Sequence, residues 1–319
     1  MSHAAHTPSS PPPVPQPLLL ELDRVRLRVD HRRGAGVVDA FWRARDGSWL
    51  PVIGRNVPGE DPAANHASFI MAPWCNRVRD AVFAWDGRRV ALRADPRDGT
   101  AMHGDVRKRP FELLDRSPVS ARLKFNSSSV KDANFPWPFS VETRFEIGES
   151  SIMQEVTLTN RGDEPFPCGL GLHPYFPRRH PHEPVGARLI APAAARFPSE
   201  RCMPTAPARR DARCRWLSAP RGLPSRYFMD SFTGYQNVCV IEWARTRLTM
   251  TSSENHDHMV FFAPTNTKGL VEPFFAVEPM TIAADGFNLA AKGWRNSGMT
   301  VLKPGESLRT WYRFEIEDR

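Results

Sequence analysis

Hydrophobic and polar residues alternate with a period of two along much of the chain. The alternation is clear in residues 25–30, 119–125, 139–147 and 308–316, where apolar and charged side chains take turns. Successive side chains of a strand point to opposite faces of its sheet, so this period is that of strands with one buried face. No apolar stripe with helical spacing continues for more than about two turns. The pattern predicts an all-β protein built as a large antiparallel β-sandwich.

Turn-forming residues such as Asp86-Gly87 and Lys303-Pro304-Gly305 separate these strands. The first 17 residues contain six prolines among small polar residues, and they are predicted to form a disordered leader. Residues 18–319 show no internal repeat and no second linker, which predicts a single β-sandwich domain. The basic, proline-rich stretch 177–220 is expected to run over the surface, with short strands such as 187–191 interrupting it.

Composition and charge narrow the function. The chain has 319 residues, of which 41% are hydrophobic and 24% are charged, as in ordinary globular proteins. The net charge of +8 attracts anions nonspecifically, but the arginines in residues 24–33 alternate with apolar residues and no nucleic-acid recognition motif accompanies them. They are interpreted as the solvent face of a strand. No signal peptide and no membrane-spanning run is found, so we expect a cytoplasmic protein without nucleic-acid or membrane partners.

Cysteine and histidine usage gives no sign of a metal centre. The five cysteines are odd in number and widely spaced, without a C-x-x-C pair, which suggests neither a zinc site nor a complete disulfide framework and favours a reducing compartment. The segment Asn255-His256-Asp257-His258 could place two histidines on one face of a strand, but it lacks a third ligand. A polar hairpin turn between Met250 and Phe261 is the preferred interpretation, and no metal and no cofactor is predicted.

Four short segments place an ionisable residue among aromatic residues, glycine or proline: residues 74–78, 102–105, 171–176 and 275–279. Partial burial at such positions can shift a pKa into a useful range. A single buried histidine is more often structural than catalytic. Glu278 follows an apolar run, and a buried carboxylate must be paired or held for function, so a structural salt bridge and a functional role remain equally open. Hydrolase, metalloprotease, kinase and dinucleotide motifs are missing from the sequence.

In their residues and in their order along the chain, these segments resemble the aldose 1-epimerase (galactose mutarotase) family over residues 22–316. Any one of the matching stretches is unspecific, but eight in the family's order are a strong signal. The stretches are Asn76-Arg77-Val78 followed by Phe83 and Asp86-Gly87; His103-Gly104; Phe135-Pro136-Trp137-Pro138-Phe139; Leu158-Thr159-Asn160; Gly171-Leu172-His173-Pro174-Tyr175-Phe176; Asp230; Val277-Glu278-Pro279; and Leu302-Lys303-Pro304-Gly305-Glu306-Ser307.

The resemblance implies the galactose mutarotase-like supersandwich and a cofactor-free enzyme that interconverts the α- and β-anomers of a free hexose, such as galactose or glucose. Opening the sugar ring needs a base for the anomeric hydroxyl and an acid for the ring oxygen. The resemblance implies that Glu278 is the base and that His173 is the acid. It also implies contacts to the sugar hydroxyls from Asn76, Arg77, His103 and Asp230.

Several alternatives stay open at this point. Five aromatic residues can either form walls of the sugar site or fill the core, with the core slightly favoured: Trp74, Phe135, Trp137, Tyr175 and Phe176. Asp105 follows His103-Gly104 where relatives commonly have glycine, so this loop can approach the sugar differently. The surplus of arginines keeps a hexose-6-phosphate mutarotase open as an alternative function. A noncatalytic sugar-binding module on the same fold is a further alternative, although both members of the acid/base pair are present.

Overall fold

The computed structural model describes residues 16–62 and 65–319, so most of the predicted leader lies outside the described residues. In the first half of the chain the strands are β1 (Leu18–Leu22), β2 (Val25–Asp30), β3 (Gly36–Arg43), β4 (Trp49–Ile53), β5 (Ile70–Met71), β6 (Arg77–Val78), β7 (Val82–Trp85), β8 (Arg88–Ala91), β9 (Ala101–Met102), β10 (Glu112–Arg116), β11 (Ser120–Asn126), β12 (Phe139–Ile147) and β13 (Ser151–Asn160).

In the second half they are β14 (Phe166–Cys168), β15 (Gly171–Leu172), β16 (Tyr175–Pro177), β17 (Arg188–Ile190), β18 (Ala193–Arg196), β19 (Ser199–Glu200), β20 (Met203–Pro204), β21 (Arg221–Gly222), β22 (Phe228–Tyr235), β23 (Val238–Glu242), β24 (Thr246–Ser252), β25 (His258–Ala263), β26 (Phe274–Met280), β27 (Thr300–Leu302) and β28 (Ser307–Asp318). The helical segments are short: α1 (Ala212–Leu217), α2 (Gly286–Ala291) and 3₁₀ turns at Arg79–Ala81 and Ser127–Ser129.

Three sheets contain most of the strands in the described part of the chain. The largest has nine strands in the order β10-β11-β12-β13-β28-β24-β23-β17-β21. A seven-stranded sheet has the order β18-β22-β25-β26-β15-β5, with β16 also paired to β26, and β1 to β4 form a four-stranded sheet. Neighbouring strands in each sheet run antiparallel. The all-β, antiparallel prediction is confirmed.

The period-two alternation explains how the core is filled. In β12 the side chains of Phe139, Val141, Phe145 and Ile147 are buried, whereas the charged residues between them are partly or fully exposed. β28 continues the same pattern at the end of the chain. Burying a large apolar side chain contributes about 1.5–3 kcal/mol, so the alternating faces of these long central strands stabilise the sheets from within.

The basic stretch 177–220 differs in part from the prediction. It was expected to lie over the surface, but β17 joins the nine-stranded sheet and β18 joins the seven-stranded sheet. Short apolar runs inside the stretch explain this, because Leu189 and Ala193 are buried there. The stretch therefore connects the two large sheets rather than only covering them.

The segment between Met250 and Phe261 is not a hairpin, which corrects the prediction. β24 belongs to the nine-stranded sheet and β25 to the seven-stranded sheet, so residues 253–257 cross from one sheet to the other. His256 is buried at this crossing, and its Nε2 lies 2.8 Å from the hydroxyl oxygen of Tyr312. Burial lowers the pKa of His256 to about 4, so this histidine is a neutral core residue.

Other sequence expectations can be placed on the structure. The arginines near the start of the chain form ion pairs with carboxylates, such as Arg24 with Asp318 at 2.7 Å and Arg26 with Glu21 at 2.9 Å. The five cysteines are buried and form no disulfides. Within residues 16–62 and 65–319, no helix has the length and apolar character needed to cross a bilayer. No group of three or more metal-ligating side chains is found over the same residues.

Candidate active site

His173 and Glu278 lie side by side in the seven-stranded sheet. Glu278 belongs to β26, and His173 lies between β15 and β16, which both pair with β26. Gly171 of β15 pairs with Met280, and Tyr175 of β16 pairs with Ala276. His173 lies midway between Gly171 and Tyr175, so the register places it opposite Glu278. Nε2 of His173 lies 3.1 Å from Oε1 of Glu278. Two of the predicted site residues therefore lie within 3.1 Å of each other.

Burial favours the neutral forms of both groups, because only 2–3% of either residue is exposed. Burial raises the pKa of Glu278 to about 8, although Arg77, Asn76 and Arg107 each favour the carboxylate. Burial also lowers the pKa of His173 well below its usual value, and the nearby Arg107 cation acts in the same direction. At neutral pH both shifts therefore favour a single proton on the pair, carried by Glu278.

Aromatic rings fix the orientation of the His173 imidazole. Phe69 stacks on it with ring centroids 4.6 Å apart, and Tyr175 packs against it at the same distance. The ring of His103 meets it edge to face at 5.1 Å. The guanidinium of Arg107 lies over the ring of Phe69, 4.1 Å from its centroid. With its ring held by these contacts, His173 presents Nε2 to Glu278 without side-chain rearrangement.

The His103-Gly104 turn requires its glycine. Both residues have positive φ values, 60° and 73°, and a Cβ at Gly104 would lie 2.1 Å from the carbonyl oxygen of Ala72. The following residue, Asp105, points away from the cleft, because its carboxylate lies 2.9 Å from a guanidinium nitrogen of Arg109. The aspartate that stands where relatives commonly have glycine therefore ties the turn to Arg109. His103 still faces His173.

The pair opens into a cleft of about 340 Å³. Its walls combine hydrogen-bonding and apolar groups, as sites for small polar molecules do. Arg77 extends into it from β6, with Nε 3.0 Å from a carboxylate oxygen of Asp98. The residues that line the cleft are Asn76, Arg77, Arg97, Asp98, Met102, His103, Arg107, His173, Tyr175, Met229, Phe262 and Glu278. Five of the six predicted site residues thus come together here.

Asp230 is the exception among the predicted residues. In the register of β22, β25 and β26, Asp230 is paired with Phe261 and Val277, so its side chain points to the opposite face of the sheet from Glu278. On that face its carboxylate lies 3.1 Å from Arg196 and also pairs with Arg213. Its position in the structure is that of a buried ion-pair partner rather than of a cleft wall.

The aromatic residues divide between the cleft and the core. Tyr175 lines the cleft, and its phenol stands beside the imidazole of His173. The other four fill the hydrophobic core: Trp74, Phe135, Trp137 and Phe176. Phe135 and Trp137 pack on each other with ring centroids 5.1 Å apart, which places them in one core cluster. The core interpretation thus holds for these four and not for Tyr175.

Comparison with known proteins decides the family. Residues 55–315 match the sequence model of the aldose 1-epimerase family. The chain belongs to this family. Over 301 residues it is 25% identical to the uncharacterized protein YphB of Escherichia coli K12, covering 91% of this chain and 96% of that protein. Family membership supports a mutarotase-type function and a sugar as the substrate.

Solved structures show the same fold at low sequence identity. A candidate aldose 1-epimerase of Escherichia coli K12 superposes with a TM-score of 0.79 and 22% identity, covering 95% of this chain and 99% of that one. A GalM/aldose epimerase homologue from C. elegans superposes with a TM-score of 0.75 and 14% identity, covering 95% of this chain and 99% of that one. A galactose mutarotase-like protein from Clostridium acetobutylicum superposes with a TM-score of 0.74 and 16% identity, covering 92% of this chain and 93% of that one. The galactose mutarotase-like fold is therefore confirmed.

Five residues of this epimerase-family cleft were missed by the sequence analysis: Arg97, Asp98, Arg107, Met229 and Phe262. Arg107 follows the His103-Gly104 motif in the same loop, and its nearness to that motif is a signal that could have found it. Met229 and Phe262 reach the cleft only because β22 and β25 bring them beside each other, with the two residues directly paired. No local pattern marks them, since their role depends on strand pairing.

Proposed function

We propose that the protein is an aldose 1-epimerase that interconverts the α- and β-anomers of a free hexose of the galactose or glucose type, with no cofactor. The observation that carries this proposal is the contact of 3.1 Å between His173 and Glu278 at the wall of a hydrogen-bonding cleft. Ring opening consists of proton transfers and the cleavage of one C–O bond. An acid and a base at fixed positions supply what it requires.

In the proposed reaction Glu278 removes the proton from the anomeric hydroxyl while His173 donates a proton to the ring oxygen. The electron pair of the C1–O5 bond moves to the ring oxygen, and the aldehyde forms at C1. Rotation about the C1–C2 bond presents the other face of the aldehyde. Reversal of the two proton transfers closes the ring as the other anomer, and both side chains return to their starting state.

The single proton of the pair suits this cycle. The pKa shifts favour its position on Glu278, whereas the assigned roles need an imidazolium at His173 and a carboxylate at Glu278. Transfer across the 3.1 Å between Oε1 and Nε2 would interconvert the two forms without changing the charge of the pair. Arg77 and Asn76 favour the carboxylate form and so oppose the effect of burial, which lowers the cost of forming the base when a sugar binds against the two groups.

Binding is assigned to the polar groups around the pair. Arg77, Asn76 and His103 line the cleft and are placed to fix the orientation of the sugar hydroxyls. Asp230 was predicted as a further contact, and in this structure its carboxylate is engaged by Arg196 and Arg213 on the other face. We therefore assign the binding of the sugar to the first three residues.

The proposed mechanism predicts a bell-shaped dependence of kcat/KM on pH. The active form holds one proton between His173 and Glu278. Below the lowered pKa of His173 the pair gains a second proton and loses its base, and above about pH 8 the proton on Glu278 is lost and the acid disappears. The expected profile is therefore level around neutrality, with an alkaline limb near pH 8, falling about tenfold per unit beyond it.

Initial rates of mutarotation by polarimetry across this pH range, corrected for the uncatalysed reaction, measure the profile. An alkaline limb near pH 6.5, the usual pKa of a histidine, would contradict the shared-proton description. A profile without an alkaline limb would also contradict it.

One observation favours a second candidate, a mutarotase for a phosphorylated hexose. Beside the cleft, Arg55, Arg107 and Lys108 line a small cationic pocket that shares Arg107 and Tyr175 with the cleft. Arg55 pairs with Glu60 at 3.4 Å, but no carboxylate in the described part of the chain lies within ion-pair distance of Arg107. Guanidinium groups bind phosphate oxygens in pairs, so a phosphate at the end of the sugar could lie here.

A polarimetric survey of free hexoses and hexose 6-phosphates tests the proposed function. We expect accelerated mutarotation of free galactose or glucose, with a KM that changes less than about twofold between low and high salt, because a neutral sugar feels no screened attraction. A strong preference for the 6-phosphate, weakened by salt, would instead support the second candidate. Sugar binding without acceleration of any anomer would identify a noncatalytic binding module and refute both.

A further inference from the structure

A second and larger cavity of about 990 Å³ lies next to the cleft. Its walls come from residues 199–229, between β19 and the start of β22, and include part of the basic stretch. The cleft around His173 and Glu278 is near the lower end of the ~300–1,000 Å³ range of small-molecule sites, and this cavity is near the upper end. The proposed reaction at one sugar ring leaves this space without a role.

The cavity and the cleft are adjacent. Met229 lines both of them. Tyr227, in the cavity wall, packs edge to face on Phe262 of the cleft, with ring centroids 6.1 Å apart. Cys202 lines the cavity as well, and the nearby Glu278 carboxylate contributes to raising the pKa of its thiol. A molecule that extends from His173 and Glu278 past Met229 would therefore enter the cavity.

The cavity presents an aromatic face to solvent. Tyr227 is 52% exposed although it is a large hydrophobic residue, and it stands where the cavity meets the cleft. Phe228 and Trp216 also line the cavity, on the opposite face of β22 from Met229, and their rings stack with centroids 5.9 Å apart. Aromatic faces pack well against flat, partly apolar molecules such as sugar rings.

The same walls carry positive charge without a compensating acid. Arg201 and Arg226 are exposed and form no ion pair with any residue in the described ranges, whereas Arg213 is paired with Asp230. The described residues that line the cavity include no aspartate or glutamate. Two free guanidinium groups beside an aromatic face match a ring that bears a carboxylate, sulfate or phosphate.

We propose that this cavity binds a second, acidic unit of the substrate, so that the preferred substrate is a reducing saccharide rather than a single hexose. The inference rests on the proposed function, because the reducing sugar must lie in the cleft against His173 and Glu278. Mutarotation changes bonds only at C1 and the ring oxygen of that sugar. A second unit attached through another hydroxyl therefore leaves the reacting atoms unaltered and adds contacts to Tyr227, Arg201 and Arg226.

Three substrates that share one reducing end test this inference: glucose, the neutral disaccharide cellobiose, and the acidic disaccharide in which glucuronate replaces the outer glucose of cellobiose. Polarimetry or proton NMR gives kcat/KM for each at low and at high salt. We expect the acidic disaccharide to exceed glucose by about tenfold or more and to exceed cellobiose clearly. High salt should reduce the advantage of the acid and leave the other two nearly unchanged.

Variants locate the effect. Arg226→Ala and Arg201→Ala should each lower kcat/KM for the acidic disaccharide several-fold more than for glucose. Tyr227→Ala should lower the values for both disaccharides more than the value for glucose. Arg210→Ala is the matched control, because Arg210 is an exposed arginine of the same basic stretch that does not line the cavity. Arg210→Ala should leave kcat/KM for glucose, cellobiose and the acidic disaccharide as in the parent protein.

The outcomes separate this inference from the proposed function. Normal acceleration with glucose together with equal kcat/KM for the neutral and the acidic disaccharide would overturn the inference and leave the epimerase assignment standing. An equal effect of Arg226→Ala on all three substrates would overturn it as well. Absence of acceleration with every sugar in the wider survey would refute the proposed function itself.

Discussion

Glu278→Gln is expected to lower kcat for mutarotation by at least ~10²-fold while the sugar still binds. Glutamine keeps the shape of the side chain and one acceptor oxygen, but it cannot take a proton from the anomeric hydroxyl at neutral pH. The residue lies 3.1 Å from His173, so the substitution also removes the proton that the pair shares. Polarimetry measures the rate, and titration calorimetry measures the affinity for the sugar.

The folded state should tolerate this substitution. Burial raises the pKa of Glu278 from 4.5 to about 8, so the folded protein binds more protons than the unfolded chain between these values. The free energy of unfolding of the parent protein therefore falls as the pH rises through this window, and that contribution disappears in the glutamine variant. Thermal melts at several pH values should show a smaller loss of Tm toward pH 8 than the parent shows.

Glu155→Gln is a suitable control, because Glu155 is an exposed glutamate on β13. It should retain the parent's rate. Near-normal turnover of Glu278→Gln would require a different base, and the assignment of Glu278 would then be wrong.

His173→Asn is expected to cause a loss of similar size and to change the shape of the pH profile. Asparagine can keep a hydrogen bond to Glu278 but cannot donate a proton to the ring oxygen as an acid. The residual reaction then depends on Glu278 as a base alone, so its rate should rise as the pH passes about 8, where the parent's rate falls. A reversal of the alkaline limb is an effect that a merely structural role of His173 would not produce.

His182→Asn provides the matched control. His182 is exposed and has a φ of 64°, a conformation that asparagine also accepts. Its profile should follow that of the parent protein. A profile for His173→Asn that keeps the parent's shape at reduced height would argue against the acid role and for a loss of packing between Phe69 and Tyr175.

The sequence predicts most of the fold because alternation is a local property. The buried positions of β12 and β28 can be identified from the order of apolar and charged residues alone. The resemblance likewise indicated His173 and Glu278, which the structure brings into contact. Both kinds of prediction depend on residues that are close together in the chain or on a matched motif.

The parts that differ depend on strand pairing between distant segments. Asp230 follows Met229 directly, yet a shift of one residue in β22 moves the side chain from the cleft face to the opposite face. The pairing of β22 with β25, which decides which face reaches the cleft, has no local signal. The crossing at residues 253–257 was taken for a hairpin for the same reason, because turn residues indicate a change of direction and not the sheet that the next strand joins.

The placement of His173 between two strands that both pair with β26 has a consequence for folding. The proposed catalytic pair forms only when β15, β16 and β26 are aligned in the correct register, and a slip of one residue would turn Glu278 away from the histidine. Such nonlocal pairings form late because distant segments must first come together. Return of mutarotation during refolding therefore reports completion of the seven-stranded sheet, whereas recovery of β-structure by circular dichroism also includes strands that pair earlier.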